Sequence, residues 1–434
     1  NPMMTRPKKS SEQRRTIVDL SFPEGQSVNS ATPSDSYLDI RYKLVLPTVD
    51  HIEELILSKG RGSLIMKRDL RGAFRQLRID PLDYPLLGLF WSSEHFTDVS
   101  YPFGHKNGTL CMQMTMDAFQ HFLEHENYIV IVYIDDTISV ESTVPQANKN
   151  FERQGELLKE LGLEEETDKA CPPATSQICL GVQFDTIAMT KSVPPEKMHD
   201  ALQELHKWAN KTTATRNELQ RLLGLLFHIA KCVRGARLFL NQILEDLRRS
   251  PASGYITLSD GCKDDIFWHI SFLPHFNGLA VMQPQLLGPQ ECFALDACLS
   301  GIGGLYKDQF YHESLPKWIQ DLKFPIHRLE MMNILISLRL WSSQLRGKLL
   351  TVYCDNAAAV MTLQSSRGRD PFLIACARQI WLLASIHDIT VKAVHRPGEQ
   401  MKDADALSRA HLGPQFQERL TDIAKKGTRV RLSP

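Results

Sequence analysis

The 434-residue chain has no apolar run approaching the roughly 20 residues that a membrane-crossing helix requires, so no membrane partner is expected. The first segment, NPMMTRPKKSSEQRR, is polar and basic and lacks the apolar stretch of a signal peptide. The nine cysteines show no CxxC pair or other metal-ligand spacing. An odd set of scattered thiols without a secretion signal points to reduced side chains in an intracellular protein, cytoplasmic or nuclear. No internal repeat is visible. Net charge is also absent, with 50 Lys+Arg against 50 Asp+Glu. Bulk charge therefore gives no support to a polyanion binder.

Local charge is less even. Residues 1–20 carry five basic and two acidic side chains, and residues 191–249 carry eleven basic and six acidic. Such stretches suit phosphates, and they are equally the solvated faces of ordinary helices. Hydrophobic residues at 43% and charged residues at 23% describe a globular protein with a usable core. The length implies two or three folding units, and a start at Asn1 is what a piece of a longer polyprotein would show.

Periodicity assigns strands to Thr16–Leu20 and Leu64–Asp69 and helices to 48–58 (capped by Thr48), 110–124 and 145–161. YIVIVY at Tyr128–Tyr133 reads as an apolar strand running into Asp135–Asp136, with Ile138–Val140 returning as a hairpin. A second hairpin is expected over Gln177–Asp185 and Ala188–Ser192. The pattern from 196 to 249 is helical throughout. From Glu291 onward, three short strands (291–296, 302–306, 309–313) precede a helix (328–342). A strand (349–354), helices (355–365, 370–386), a strand (389–394) and a helix (401–409) follow, which is an α/β order.

Two sets of acids stand out. Asp69 closes a strand, and Asp135 and Asp136 sit at a hairpin turn. Acids at strand ends are suitable oxygen ligands for hard divalent cations, and two such cations can run phosphoryl transfer. An Asp-Asp turn is also common turn chemistry, and a lone Asp69 serves equally as a helix cap. In the second set, Asp296 and Asp355 end strands while Glu330 and Asp405 lie in helices. Asp355-Asn356 alone reads as a helix start, Glu330 as a surface acid, and Asp403 competes with Asp405.

The ordered motifs resemble the palm of a reverse transcriptase. DLRGAF resembles its first polymerase motif, YPFGHKNGTLCMQ its second and YIDD its third. LGLEEETDK with ICLGVQFDT resembles the region of a motif lysine and the primer-contacting hairpin, and KKSSEQRRTIVDLS resembles the fingers strand. The resemblance implies Asp69 and Asp135 as metal ligands supported by Asp136, and Lys8 and Arg15 as triphosphate contacts. It implies Phe74 as a steric gate against the ribose 2′-hydroxyl, Gly104 and Gln113 against the template or incoming base, and Lys169 as a proton donor to pyrophosphate. Phe74 is otherwise a core aromatic, and Lys169 otherwise a surface lysine. Tyr101, His105, Thr109, Met112 and Cys179 depart from the family pattern without removing a metal ligand.

The C-terminal unit resembles RNase H in its order DxxxxGxGG, a helix with Glu, CDN and HxPGxxxxxADxLSR. That implies Asp296, Glu330, Asp355 and Asp405 as a second metal site, with His395 aiding product release; Met401 stands where Asn is usual. DIFWHISFLPHFNG and HRPGEQMKDADALSR resemble the tyrosine-recombinase (DIRS-type) retrotransposons.

The implied architecture is an α/β multidomain protein: fingers and palm (1–195), helical thumb (196–250), connector (251–288), RNase H-like domain (289–412) and basic tail (413–434). The implied activity is RNA- and DNA-templated DNA synthesis with RNase H cleavage. It would use Mg²⁺ or Mn²⁺, two per site, with RNA template, DNA primer, RNA–DNA hybrid and deoxynucleoside triphosphates as partners. The alternative is a catalytically inactive nucleic-acid-binding protein derived from a retroelement.

Overall fold

The computed structural model describes the chain except residues 8–13, 34–35, 38–39, 234–235, 275–279, 283–290, 367–369, 388 and 433–434. Lys8 therefore lies outside the described residues. The chain folds as two compact units, Asn1–Thr190 and Lys191–Pro434.

In the first unit, β1 (Met3–Pro7) pairs antiparallel with β2 (Arg14–Val18). Helix α1 (Val49–Lys59) starts at the expected Thr48, whose backbone N–H donates to His51 Nδ1 at 2.9 Å. Strand β3 (Leu64–Asp69) leads into a 3₁₀ turn at Ala73–Gln76. A hairpin not anticipated from the sequence follows, β4 (Gly88–Trp91) with β5 (Glu94–Thr97). Its Phe90, Trp91 and Phe96 are exposed, so it carries no alternation of buried and polar residues to read.

Helix α2 (Gly108–His125) buries Met112, Met116, Phe119 and Leu123 along one stripe. That stripe packs on Val130 and Val132 and on Leu157 and Leu158 of α3 (Val144–Glu160). Strands β6 (Ile131–Tyr133), β7 (Asp136–Glu141) and β8 (Cys171–Ala174) complete an antiparallel sheet ordered β8-β3-β7-β6. The hairpin β9 (Ser176–Cys179) and β10 (Val182–Asp185) follows.

The second unit opens with helices α4 (Pro195–Trp208), α5 (Arg216–Ile229), α6 (Asn241–Arg249) and α7 (Asp260–Phe272). Thr215 and Glu218 form a capping box on α5. A six-stranded sheet then forms from β11 (Glu291–Cys298), β12 (Gly301–Tyr306), β13 (Gln309–Ser314), β14 (Leu349–Cys354), β15 (Thr390–His395) and a final β16 (Thr428–Arg429), in the order β15-β14-β11-β12-β13-β16. The longer helices of this half are α8 (Ile326–Trp341), α9 (Ala357–Ser365), α10 (Pro371–Ile386), α11 (Lys402–Ser408) and α12 (Pro414–Lys426).

The segment expected as a basic tail is folded: α12 leads to β16, which adds a parallel strand at the β13 edge. Only Phe416, Leu420 and Ile423 of α12 are half-buried, and no residue of that helix is fully buried. So thin an apolar stripe is hidden among charges in the sequence. The strand that follows the helix, β16, covers an edge of β13 that would otherwise stand open.

The helical half and the sheet share one core. Leu238 and Phe239, just before α6, belong to the same buried cluster as Phe293, Trp341 and Ile380. Trp268 of α7 stacks on Phe239 with ring centres 3.4 Å apart. Asp265, fully buried on α7, holds Arg378 of α10 at 2.5 Å, and His269 is buried one turn further along α7.

Candidate functional sites

The palm-like sheet decides where the first acids stand. β3 and β7 pair so that Asp69 lies directly opposite Asp136. Between β6 and β7 the chain turns at Ile134, whose φ of 58° is left-handed, and Tyr133 pairs with Asp136 across the turn. Asp135 sits in that turn, and its carbonyl oxygen accepts from Leu70 N at 3.3 Å, one residue beyond Asp69. The three acids thus stand at one sheet end, near enough for their charges to act on one another.

Burial, and then the charge of Asp135, push the Asp136 carboxyl up to about 6. Asp135 is raised by burial and by Asp69. Nearby cations act in the other direction. Lys169 Nζ lies 2.5 Å from Asp69 Oδ2, Lys67 opposes the rise at Asp136, and Arg15 opposes the rise at Asp135. Lys67 was not singled out from the sequence, because strand alternation alone does not reveal which acid a lysine faces.

Phe74 packs against Phe103 with ring centres 5.4 Å apart, and the Arg15 guanidinium lies 5.5 Å from the same Phe103 ring. Phe103 is thus a common neighbour of the proposed gate and a proposed triphosphate contact, and it was missed as an ordinary motif aromatic. Gly104 has φ +114°, and a Cβ there would stand 1.9 Å from Val18 O. This close approach lets the YPFG turn lie on β2, where Val18 N donates to Phe103 O at 2.8 Å.

Gln113 departs from its expected place against a base. It is 2% exposed. Its Oε1 accepts from Ile134 N at 2.7 Å, and its Nε2 donates to Val132 O at 3.2 Å and to Asp117 Oδ1 at 2.7 Å. The amide is consumed in holding the acidic turn, whose strained Ile134 has no strand partner for its N–H.

The second set converges through glycine. Strands β11 and β14 run parallel and adjacent, so Asp296 and Asp355 emerge at neighbouring strand ends. A Cβ on Gly303 would stand 2.5 Å from Leu407 Cβ and 2.6 Å from Ser408 N. The bare glycine lets α11 press onto the sheet and bring Asp405 close. Burial pushes the Asp296 carboxyl up to about 6, with Asp355 and Asp405 adding to the rise. Glu330 is raised well above the ordinary range by burial and then by Asp296.

Two further donors were not anticipated. The Ser408 hydroxyl donates to Asp296, and the Cys354 thiol donates to Glu330 Oε2 at 3.7 Å. Glu330 Oε1 accepts from Ala297 N at 2.8 Å. Asp403 pairs with Arg419 at 2.6 Å and Asp405 with Arg409 at 2.7 Å, and of the two acids it is Asp405 that adds to the rise at Asp296. His395 Nε2 lies 3.0 Å from Asp355 O, beside this group.

Residues 7–184 match the family model for reverse transcriptase (RNA-dependent DNA polymerase), and this part of the chain is a reverse transcriptase domain. Polyprotein P3 of Commelina yellow mottle virus is 28% identical over 136 residues, which are 31% of this chain and 6% of that protein. The genome polyprotein of Petunia vein clearing virus (isolate Shepherd) is 26% identical over 193 residues, 44% of this chain and 8% of that protein. The chain thus spans a small fraction of the relatives it matches. A foamy viral protease-reverse transcriptase in complex with dsDNA superposes with a TM-score of 0.51 at 16% identity, covering 91% of this chain and 77% of that one. The dRH form of that enzyme with dsDNA gives 0.51 at 15% identity, covering 91% and 65%. The mixed α/β multidomain fold expected from the sequence is the fold these structures share. Among the described residues, no helix is long and apolar enough to cross a membrane.

Proposed function

We propose that the chain is an RNA- and DNA-templated DNA polymerase that also cleaves RNA in RNA–DNA hybrids, serving the replication of a retroelement. The observation that carries the polymerase half is the register opposing Asp69 to Asp136, with Asp135 in the turn beside them. The cleavage half rests on Asp296 and Asp355 ending adjacent parallel strands, on Glu330 and Asp355 standing within 4.8 Å of each other, and on the bare Gly303 that brings the helix of Asp405 onto the sheet.

Both donor sets are carboxylate oxygens on separate rigid elements, which suits Mg²⁺ or Mn²⁺. Burial first, and then the neighbouring carboxylates, raise Asp135, Asp136, Asp296 and Glu330, and a cation bound among them would favour their charged forms. Asp69 and Asp135, supported by Asp136, are the proposed holders of two ions, and Asp296, Glu330, Asp355 and Asp405 of two more. Bound there, such ions activate the attacking oxygen and stabilise the leaving one.

The chain's own residues supply the rest. Arg15, together with Lys8, neutralises the triphosphate. Phe74, backed by Phe103, fills the space of a ribose 2′-hydroxyl. Lys169 delivers a proton to pyrophosphate, and His395 helps cleaved product leave. Gln113 holds the turn that carries Asp135. The proposed partners are an RNA template, a DNA primer, an RNA–DNA hybrid and deoxynucleoside triphosphates. The double-stranded DNA in the two foamy viral structures supports a duplex partner. The segments DIFWHISFLPHFNG and HRPGEQMKDADALSR support a place in the tyrosine-recombinase (DIRS-type) group.

Primer extension on an RNA template, with hybrid cleavage read in parallel, tests the proposal. Asp135→Asn is expected to abolish synthesis and spare cleavage, and Asp296→Asn to do the reverse. Synthesis surviving in Asp135→Asn refutes the site. Hybrid binding by the wild-type chain, with neither synthesis nor cleavage, favours an inactive nucleic-acid-binding protein instead.

A further inference from the structure

Arg68 stands one residue before Asp69 in β3, and strand alternation sends its side chain to the opposite face of the sheet, against α3. The side chain is about nine-tenths buried there. Its Nη1 lies 2.5 Å from both carboxylate oxygens of Glu165. Nε and Nη2 donate to Phe151 O at 3.1 and 2.6 Å, and Cζ stands 3.8 Å from the centre of the Phe151 ring. The helix makes room for this group. A Cβ on Gly155 would lie between 2.9 and 3.1 Å from three guanidinium atoms.

Glu165 is in turn strapped to the acidic strand. It forms a bridge with Leu70, and its neighbours bond on either side: Glu166 N donates to Asp69 O at 2.8 Å and Arg71 N to Glu164 O at 2.9 Å. Four residues beyond Glu165, Lys169 reaches Asp69 Oδ2. An apolar pair would fill the same space at less desolvation cost, but it would not fix a direction. A planar guanidinium held by a carboxylate, a carbonyl and a ring does so.

We propose that Arg68 is a positioning residue of the polymerase site: clamped by Phe151 and Glu165 in the space left by Gly155, it locks the Asp69 backbone and the 164–169 segment into one body. The clamp thereby sets where the Asp69 carboxylate and the Lys169 ammonium stand. The inference rests on the polymerase reading above.

The test uses the whole chain with Arg68→Met, Gly155→Ala, the double variant Arg68→Met/Glu165→Met, and Leu123→Ala as a destabilised control in the same core. Two quantities are read below each variant's unfolding temperature. One is the Mg²⁺ concentration that half-saturates primer extension, and the other is Mn²⁺ binding, followed by loss of the free-ion EPR signal. Partners that orient metal ligands typically contribute ten- to a hundredfold in metal affinity. Arg68→Met and Gly155→Ala are therefore each expected to raise both midpoints by roughly tenfold or more.

The double variant is expected to regain thermal stability over Arg68→Met while keeping the shifted midpoints. Leu123→Ala is expected to lose stability with midpoints unchanged. A purely structural role would make stability and midpoints move together through the series, and that result overturns the proposal. So do midpoints within twofold of wild type in both Arg68→Met and Gly155→Ala. Wild-type chain that binds Mn²⁺ but synthesises no DNA defeats the polymerase reading instead, while the EPR comparison still decides the role of Arg68.

Discussion

The buried pair Asp265 and His269 on α7 makes a prediction that can be worked out in full. Burial pushes the Asp265 carboxyl up to about 6 despite its ion pair with Arg378. Burial also holds the His269 imidazole down at about 4, one turn along the same helix. The two act in opposite senses on stability. A carboxyl raised on folding is protonated first in the folded state, so stability rises as pH falls from about 6 toward the ordinary carboxylate range. An imidazole lowered on folding is protonated first in the unfolded state, so stability falls as pH drops from 6.5 toward about 4.

Between pH 7 and 4.5 the histidine costs and the aspartate returns on the order of 2 kcal/mol each, so the wild-type pair nearly cancels. Asp265→Asn removes the return, and the variant is expected to lose about 2 kcal/mol more than wild type over that interval. His269→Phe removes the cost, and the variant is expected to gain about 2 kcal/mol. Urea unfolding followed by far-ultraviolet circular dichroism at pH 7, 6, 5 and 4.5 reads the differences, since every other titrating group is common to the three chains. Three parallel stability curves would refute the buried, opposed titration.

Two further changes test the contacts that hold the YPFG turn and the acidic turn. Gly104→Ala places a Cβ against Val18 O at a positive φ; strain and overpacking together should cost roughly 2–4 kcal/mol. Its urea midpoint should fall and synthesis should weaken as β2 shifts, whereas wild-type stability would show that the turn does not need the contact. Gln113→Met strips the acceptor from Ile134 N, leaving a half-buried donor unpaired at a cost of about 1 kcal/mol, the lower end of the range for buried groups. Synthesis should drop while hybrid cleavage is unchanged, and equal loss of both activities would deny Gln113 its local role.

Much of the fold is legible along the chain because its patterns are strong. Helix α2 repeats apolar residues at 112, 116, 119 and 123, and β11 to β15 with their helices follow the expected order nearly to the residue. The β4–β5 hairpin and the α12–β16 segment are not legible. Both bury too little apolar surface to impose a period, and both are fixed by what they pack against. Among the site residues, the acids are marked by motif, but Lys67, Phe103, Cys354 and Ser408 are ordinary in sequence and become informative only from their neighbours. Gln113 carries the opposite lesson, since a motif position suggested an exposed contact and burial gave it an internal one.

The sequence by itself determined the elements, the reverse transcriptase motifs in their order, and the seven acids as candidates, because short-range patterning and residue chemistry need no partner to be read. Tertiary structure alone decided that Asp69 faces Asp136, that a bare Gly303 lets Asp405 and Ser408 close on Asp296, and that Arg68 points away from the acids into a clamp. The physical reason is that register and close approach depend on atoms more than thirty residues apart in the chain, whose spacing no local pattern encodes.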